Sequence, residues 1–232
     1  MSGTGLLDRT AAVPWTSCHL AEVVAVKDPE ALSRVQVRLL AFDGLAGQDA
    51  PVWARVAVPF AGNDRGAFLI PDVGDEVLVT FVNADPRLPV VVGGLWNGAA
   101  PAPEVLGGDG SRVDRWTLVG KAGTRIAIVE ERPGQAAISL TTPGGVKALL
   151  TDEGGGKIEL EAAGTTITVD TSGVAVQTGG KVQVQASQVD VTAGQVSVNA
   201  AMSSFSGVVR CDVMQATTVI ATTYTPGAGN VW

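Results

Sequence analysis

KVQVQASQVDVTAGQVSVNA, residues 181–200, repeats every seven residues: Val182, Val184 and Ala186 return as Val189, Val191 and Ala193, and again as Val196, Val198 and Ala200. A coiled coil also repeats every seven, but its apolar residues fall three and four apart. Here they fall two and two apart, with Gln, Asp, Thr, Ser and Asn between, which is the period of a strand. Each short strand turns Val, Val and Ala to one face, and a two-residue corner such as Ser187–Gln188 or Gly194–Gln195 resets the next. Such strands do not stand alone. Fixing the backbone costs about 1–2 kcal/mol per residue while a buried Val returns about 1.5–3 kcal/mol, so six valines and three alanines leave three heptads in deficit. Neighbours come either from a single-chain solenoid with three faces per coil or from three chains wound around one axis.

Outward from the heptads the same grammar persists. Towards the C-terminus it weakens at Ser203, Phe205 and Gly207 and returns in phase at Thr217, Val219 and Ala221. Towards the N-terminus it continues as Val174/Val176, Ile167/Val169, Ile158/Leu160, Ile138/Leu140 and Ile126/Ile128, with one more strand expected at Leu149–Leu150. The interval between pairs shrinks from 12 residues to 7, and charged loops such as Glu130–Glu131–Arg132 give way to Gln, Ser and Thr, which describes a narrowing body. Residues 99–116, rich in Gly and Pro, read as a linker or collar. Before it stand five strand-like runs, His19–Val26, Arg34–Leu40, Val52–Val58, Glu76–Val82 and Leu88–Leu95, separated by turn clusters. Five strands in so short a span, with no convincing helix between, fit a small closed barrel of the OB type over residues 15–98. Residues 1–14 show no periodicity and read as a flexible arm.

Composition narrows the function. A net charge of −7 and few aromatics argue against nucleic acid as a partner, which calls for a basic stripe with interleaved aromatics. The first residues lack the basic start and apolar run of a signal peptide, and no apolar stretch is long enough for a membrane helix, so synthesis in the cytoplasm is expected. Cys18 and Cys211 are too far apart in sequence to suggest a disulfide framework or a zinc knuckle.

Catalytic chemistry is equally sparse. The lone histidine, His19, alternates with Cys18 along one strand, so the two point apart and form no dyad. Asp75 and Glu76 likewise face opposite sides of a strand. Gly154–Gly155–Gly156–Lys157 lies between β-repeats, without the strand–loop–helix setting of a phosphate cradle. Trp53 and Trp96 read as core or rim packing, and the carboxylates Asp152, Glu153, Glu159, Glu161 and Asp170 as a solvated surface. No catalytic residue, cofactor or metal ligand is expected, and the chain reads as no enzyme.

Several stretches carry a family resemblance: Arg34–Arg38, Trp53–Val56, Phe60–Gly62, Pro71–Val79, Asp85–Pro86 and Pro89–Gly93, the run from Val73 to Phe81 being the most specific. They resemble the OB domain of baseplate central spikes, the family of phage baseplate assembly protein V, the type VI secretion VgrG spike and the spikes of extracellular contractile injection systems. The resemblance implies an all-β protein with an N-terminal OB-fold barrel followed by an intertwined trimeric β-helix needle over 117–223. Ile167, Val169, Val174, Val176, Val182, Val184, Val189, Val191, Val196 and Val198 would then form the trimer core. It further implies a homotrimer in a phage tail or tail-like particle, with a tube hub protein at the barrel end and transient contact with a target membrane. A PAAR-like tip protein would sit on the blunt segment 224–232, through Tyr224, Val231 and Trp232, although Trp232 could equally fold back and cap the needle. The remaining alternative is a carbohydrate-binding or receptor-binding β-solenoid fibre.

Overall fold

The computed structural model describes residues 17–42 and 50–223. The chain divides into two units, one ending at Lys181 and a second beginning at Val182. In the first, β1 (His19–Ala25), β2 (Val35–Leu39), β3 (Val52–Val56), β6 (Glu76–Phe81) and β7 (Pro89–Leu95) close a five-stranded barrel in the order β1-β2-β3-β7-β6. These are the five runs read from the sequence, and the closed barrel has the strand number of an OB domain. All neighbours are antiparallel except β3 and β7, which run parallel. A small hairpin of β4 (Ala61–Gly62) and β5 (Arg65–Gly66) lies between β3 and β6.

Alternation closes the core. Ala21, Val23, Val35, Val37, Ala54, Val77, Val79, Phe81 and Val91 are buried together, so the barrel is filled mostly by valines and alanines, with Phe81 as the aromatic among them. His19 joins them, 4% exposed, stacked on Phe42 and edge-on to Phe81. It is a packed strand residue.

Two turns fix the barrel's corners. Asp28 sets the loop before β2: its carboxylate accepts from the backbone N–H groups of Glu30, Leu32 and Arg34 and from the Arg34 guanidinium at 2.8 and 3.0 Å. Gly74 enters β6 at φ +92°, the left-handed backbone that a side chain resists.

Residues 96–114 hold no strand but are fastened to the strands after them. Glu104 receives Arg125 at 2.6 Å, Asp114 accepts from the Gly107 N–H and Arg115, and the Arg112 guanidinium donates to the Glu130 and Glu131 carbonyls. Further along, Lys121, in the turn after Arg115–Val119, pairs with Asp72 in the loop before β6.

Beyond lie β8 (Arg115–Val119), β9 (Arg125–Val129), β10 (Ala137–Thr141), β11 (Lys147–Thr151), β12 (Lys157–Ala162), β13 (Thr165–Asp170) and β14 (Gly173–Gln177), one seven-stranded sheet in sequence order. Every neighbour is antiparallel and every turn short, so each strand pairs with the next in its own chain. The strand expected at Leu149–Leu150 is β11. In the second unit, residues 182–223 form no strand ladder within one chain, and the six heptad valines are between 62% and 74% exposed. A single-chain solenoid requires each coil to pair with the next, which these residues do not do. Residues 1–14 and the segment 224–232, with Tyr224, Val231 and Trp232, lie outside the described residues.

Candidate functional site

The feature that stands out is one face of the β8–β14 sheet. Period-two alternation and the register place its side chains in two rows. The first runs Trp116, Ile128, Ile138, Leu150, Ile158, Val169, Val174, and the second Leu118, Ile126, Leu140, Ala148, Leu160, Ile167, Val176. With seven strands about 4.8 Å apart, the face is about 30 Å long and two side chains wide. Apart from Ala148, every one of these residues is exposed, from 37% at Ile167 to 71% at Val174. A monomer rarely leaves so continuous an apolar stripe to water.

The opposite face differs in kind. Across it run Thr117, Ala127, Ser139, Leu149, Glu159, Thr168 and Ala175. Glu159 is held by Lys147 at 2.6 Å and by Lys157, which pull its carboxyl from 4.5 to about 2. Two arginines, Arg125 and Arg115, hold Glu104 below the ordinary carboxylate value although burial works against them. Charge sits where it is paired, and the apolar rows carry none.

Of the expected trimer core, Ile167, Val169, Val174 and Val176 thus lie side by side on this face. Val182, Val184, Val189, Val191, Val196 and Val198 lie in the second unit, exposed and without a ladder. Trp116, Leu118 and Ala148 belong to the face as well. The alternation in Arg115–Val119 was the available signal for the first two, masked by the Gly-rich stretch before them.

The sequence's other candidates separate. Asp75 accepts from the Asp72 N–H while Glu76 accepts from Asn97, so the adjacent carboxylates serve different partners. Trp53 stacks under the Arg34 guanidinium, 5.8 Å from the ring centre, as a packing residue. Trp96 is 72% exposed and so lies outside any core. Among the described residues no group of three or more His, Cys, Asp or Glu is placed to hold a metal ion.

A closed barrel followed by a β-meander with an uncovered apolar face defines a class, and comparison with known proteins places it. Residues 19–96 match the family described as the type VI secretion system/phage-baseplate injector OB domain, and residues 137–203 match the phage baseplate V C-terminal trimerisation domain. The chain thus carries two domains of baseplate spikes, and its relatives are VgrG spikes, which together support a baseplate spike or VgrG-like family. Among curated relatives, the type VI secretion system spike protein VgrG4b of Pseudomonas aeruginosa is 37% identical over 98 residues, 41% of this chain and 12% of that protein. VgrG3 of Vibrio cholerae is 38% identical over 61 residues, 26% of this chain and 6% of that protein. A V. cholerae relative named actin cross-linking toxin VgrG1 is 34% identical over 59 residues, 5% of its length. The matched stretches therefore span only a small part of these relatives.

Proposed function

We propose that the chain is a mechanical part, the trimeric central spike of a contractile injection machine of phage-tail or type VI kind. The observation that carries this is the apolar face of β8–β14. Three copies turned inward would bury three such faces against one another and form a three-sided prism, with the paired charges of the opposite face outside. Residues 182–223 would then find in two other chains the strand partners they lack in their own, with Val182, Val184, Val189, Val191, Val196 and Val198 towards the shared axis. Stiffness follows, because bending such a body breaks many backbone hydrogen bonds together.

In this reading the barrels form a collar that docks on a tube hub protein, and sheath contraction drives the spike through a target envelope. Tyr224, Val231 and Trp232 seat a PAAR-like tip protein. No catalysis is required of the chain. The toxin activity in one relative's name belongs to that protein, of which the matched stretch is a small part. The carbohydrate- or receptor-binding fibre is the weaker reading, because both matched stretches point to injector spikes.

Light scattering tests the core of the proposal. The purified chain should give about 71 kDa, three times 23.6 kDa, and keep that mass through mild heating. A stable 23.6 kDa monomer would overturn it.

A further inference from the structure

Of the five asparagines in the chain, Asn97 alone is followed by glycine, and it sits in the tight loop where the chain leaves β7. The loop closes on itself. The Asn97 N–H donates to the Ala100 carbonyl at 2.9 Å, while the side-chain oxygen Oδ1 accepts from the Ala99 and Ala100 N–H groups, each at 2.8 Å. Nδ2 donates to Glu76 Oε2 at 2.6 Å, where β6 begins opposite Leu95. These partners fix which end of the amide is oxygen, because two N–H donors face one end and a carboxylate the other.

The arrangement favours attack on the side-chain carbonyl. Two N–H groups converge on Oδ1, the atom that gains negative charge when a nucleophile adds to Cγ. The next residue supplies that nucleophile. The Gly98 backbone nitrogen makes no hydrogen bond among the described residues, both residues are exposed, and beyond the chain neighbours no atom lies within 4 Å of the place a Gly98 Cβ would take, so water and base reach the N–H. Glycine also leaves the backbone free to turn its nitrogen towards Cγ, a movement that a side chain hinders.

We propose that Asn97–Gly98 is a modification site, at which the folded chain converts its own Asn97 to aspartate or isoaspartate and so breaks the link from Glu76 to the segment leaving the barrel. The Gly98 nitrogen gives its proton to water or hydroxide and bonds to Cγ. The Cγ–Nδ2 bond then breaks, and ammonia leaves with a proton taken from water. A second water opens the cyclic imide at either carbonyl, giving aspartate or isoaspartate. No oxidant, metal or second chain takes part, so the inference stands apart from the trimer reading. The product undoes what held its precursor. A carboxylate at position 97 has no hydrogen to donate to Glu76 and sets a like charge against it, and isoaspartate lengthens the loop's main chain by one carbon.

The test keeps the full-length chain warm at mildly alkaline pH and follows its tryptic peptides over days by mass spectrometry. Peptide 88–112, in which Asn97 is the single asparagine, should become heavier by about 1 Da, the difference between an amide and an acid, and split into two species. The peptides carrying Asn63 and Asn83 should convert at least about tenfold more slowly, and Gly98→Ala should slow the reaction at Asn97 by a similar factor. The same course in urea reads what the fold contributes: the folded chain should react at least as fast as the unfolded one, which has lost the two donors on Oδ1. A peptide 88–112 that stays unchanged in the folded chain, or a folded rate below the unfolded one, overturns the inference. Asn97→Asp should lower the thermal midpoint by a few degrees, and Glu76→Gln in the same chain should recover part of that loss. An unchanged midpoint in Asn97→Asp overturns the broken link as the consequence.

Discussion

Val37 is fully buried in the barrel beside Val23, Val35 and Val79, and nothing polar shares its space. Val37→Ala should therefore cost the barrel about 1.5–3 kcal/mol, read as a lower denaturant midpoint with little change in slope. Glu159 makes a pH prediction at the same scale. Its folded value is depressed from 4.5 to about 2 by Lys147 and Lys157, so the fold favours the ionised carboxylate. That contribution is fully present above pH 4.5 and is lost as pH falls towards 2. Glu159→Gln should flatten the part of the stability curve that this group supplies between those limits, measured by thermal unfolding across a pH series. Asp28, held far below the carboxylate range by Arg34 and three backbone N–H groups, and Asp85, held at about 2 by Arg87, add acid sensitivity of the same sign in the barrel.

At the scale of elements, the barrel and the sheet solve the same problem differently. The barrel closes on itself and leaves its strands no edge, so its alternating residues are covered within one chain. The sheet stays open, and its apolar rows are covered only from outside. Leu160→Asp, in the middle of the second row, should thus abolish trimer formation while the barrel's cooperative unfolding survives. A trimer that persists in that variant by light scattering would remove the face from the interface. Val191→Asp makes the parallel test in the heptads, where three copies would bring three carboxylates near one axis. A heat-resistant trimer in Val191→Asp would place Val191 away from that axis.

For the whole molecule, the division at Lys181 matters most. Within the unit ending there, the β8–β14 sheet pairs each strand with the next across short turns, while the barrel closes through the longer-range pairs β1–β6 and β3–β7. The segment 182–223 forms no strand ladder within one chain, so its order should depend on protein concentration. Diluting the chain should expose residues 182–223 to protease before the barrel is cut, and simultaneous loss of both would contradict a separately assembled C-terminal unit.

Much of this was legible in the residues. The five barrel runs appear at their sequence positions because period-two apolar alternation bounded by Asp, Asn, Gly and Pro is a local property. The same signal marked Ile126/Ile128, Ile138/Leu140, Ile158/Leu160 and Ile167/Val169 as face-sharing pairs. The hairpin of Ala61–Gly62 and Arg65–Gly66 escaped because two-residue strands without apolar alternation leave no period to read. The segment around Glu104 read as a plain linker, since its fastening to Arg125 joins residues distant in the chain.

By itself the sequence determined the five long strands of the barrel and the strands from Ile126 to Val176, and which side of each sheet strand is apolar, because those follow from side-chain period. Only the tertiary structure decided that β8–β14 pair in order within one chain and that their apolar sides align into two unbroken rows. Those depend on register, and register is set by hydrogen-bonded pairing between strands rather than by any one strand's own residues.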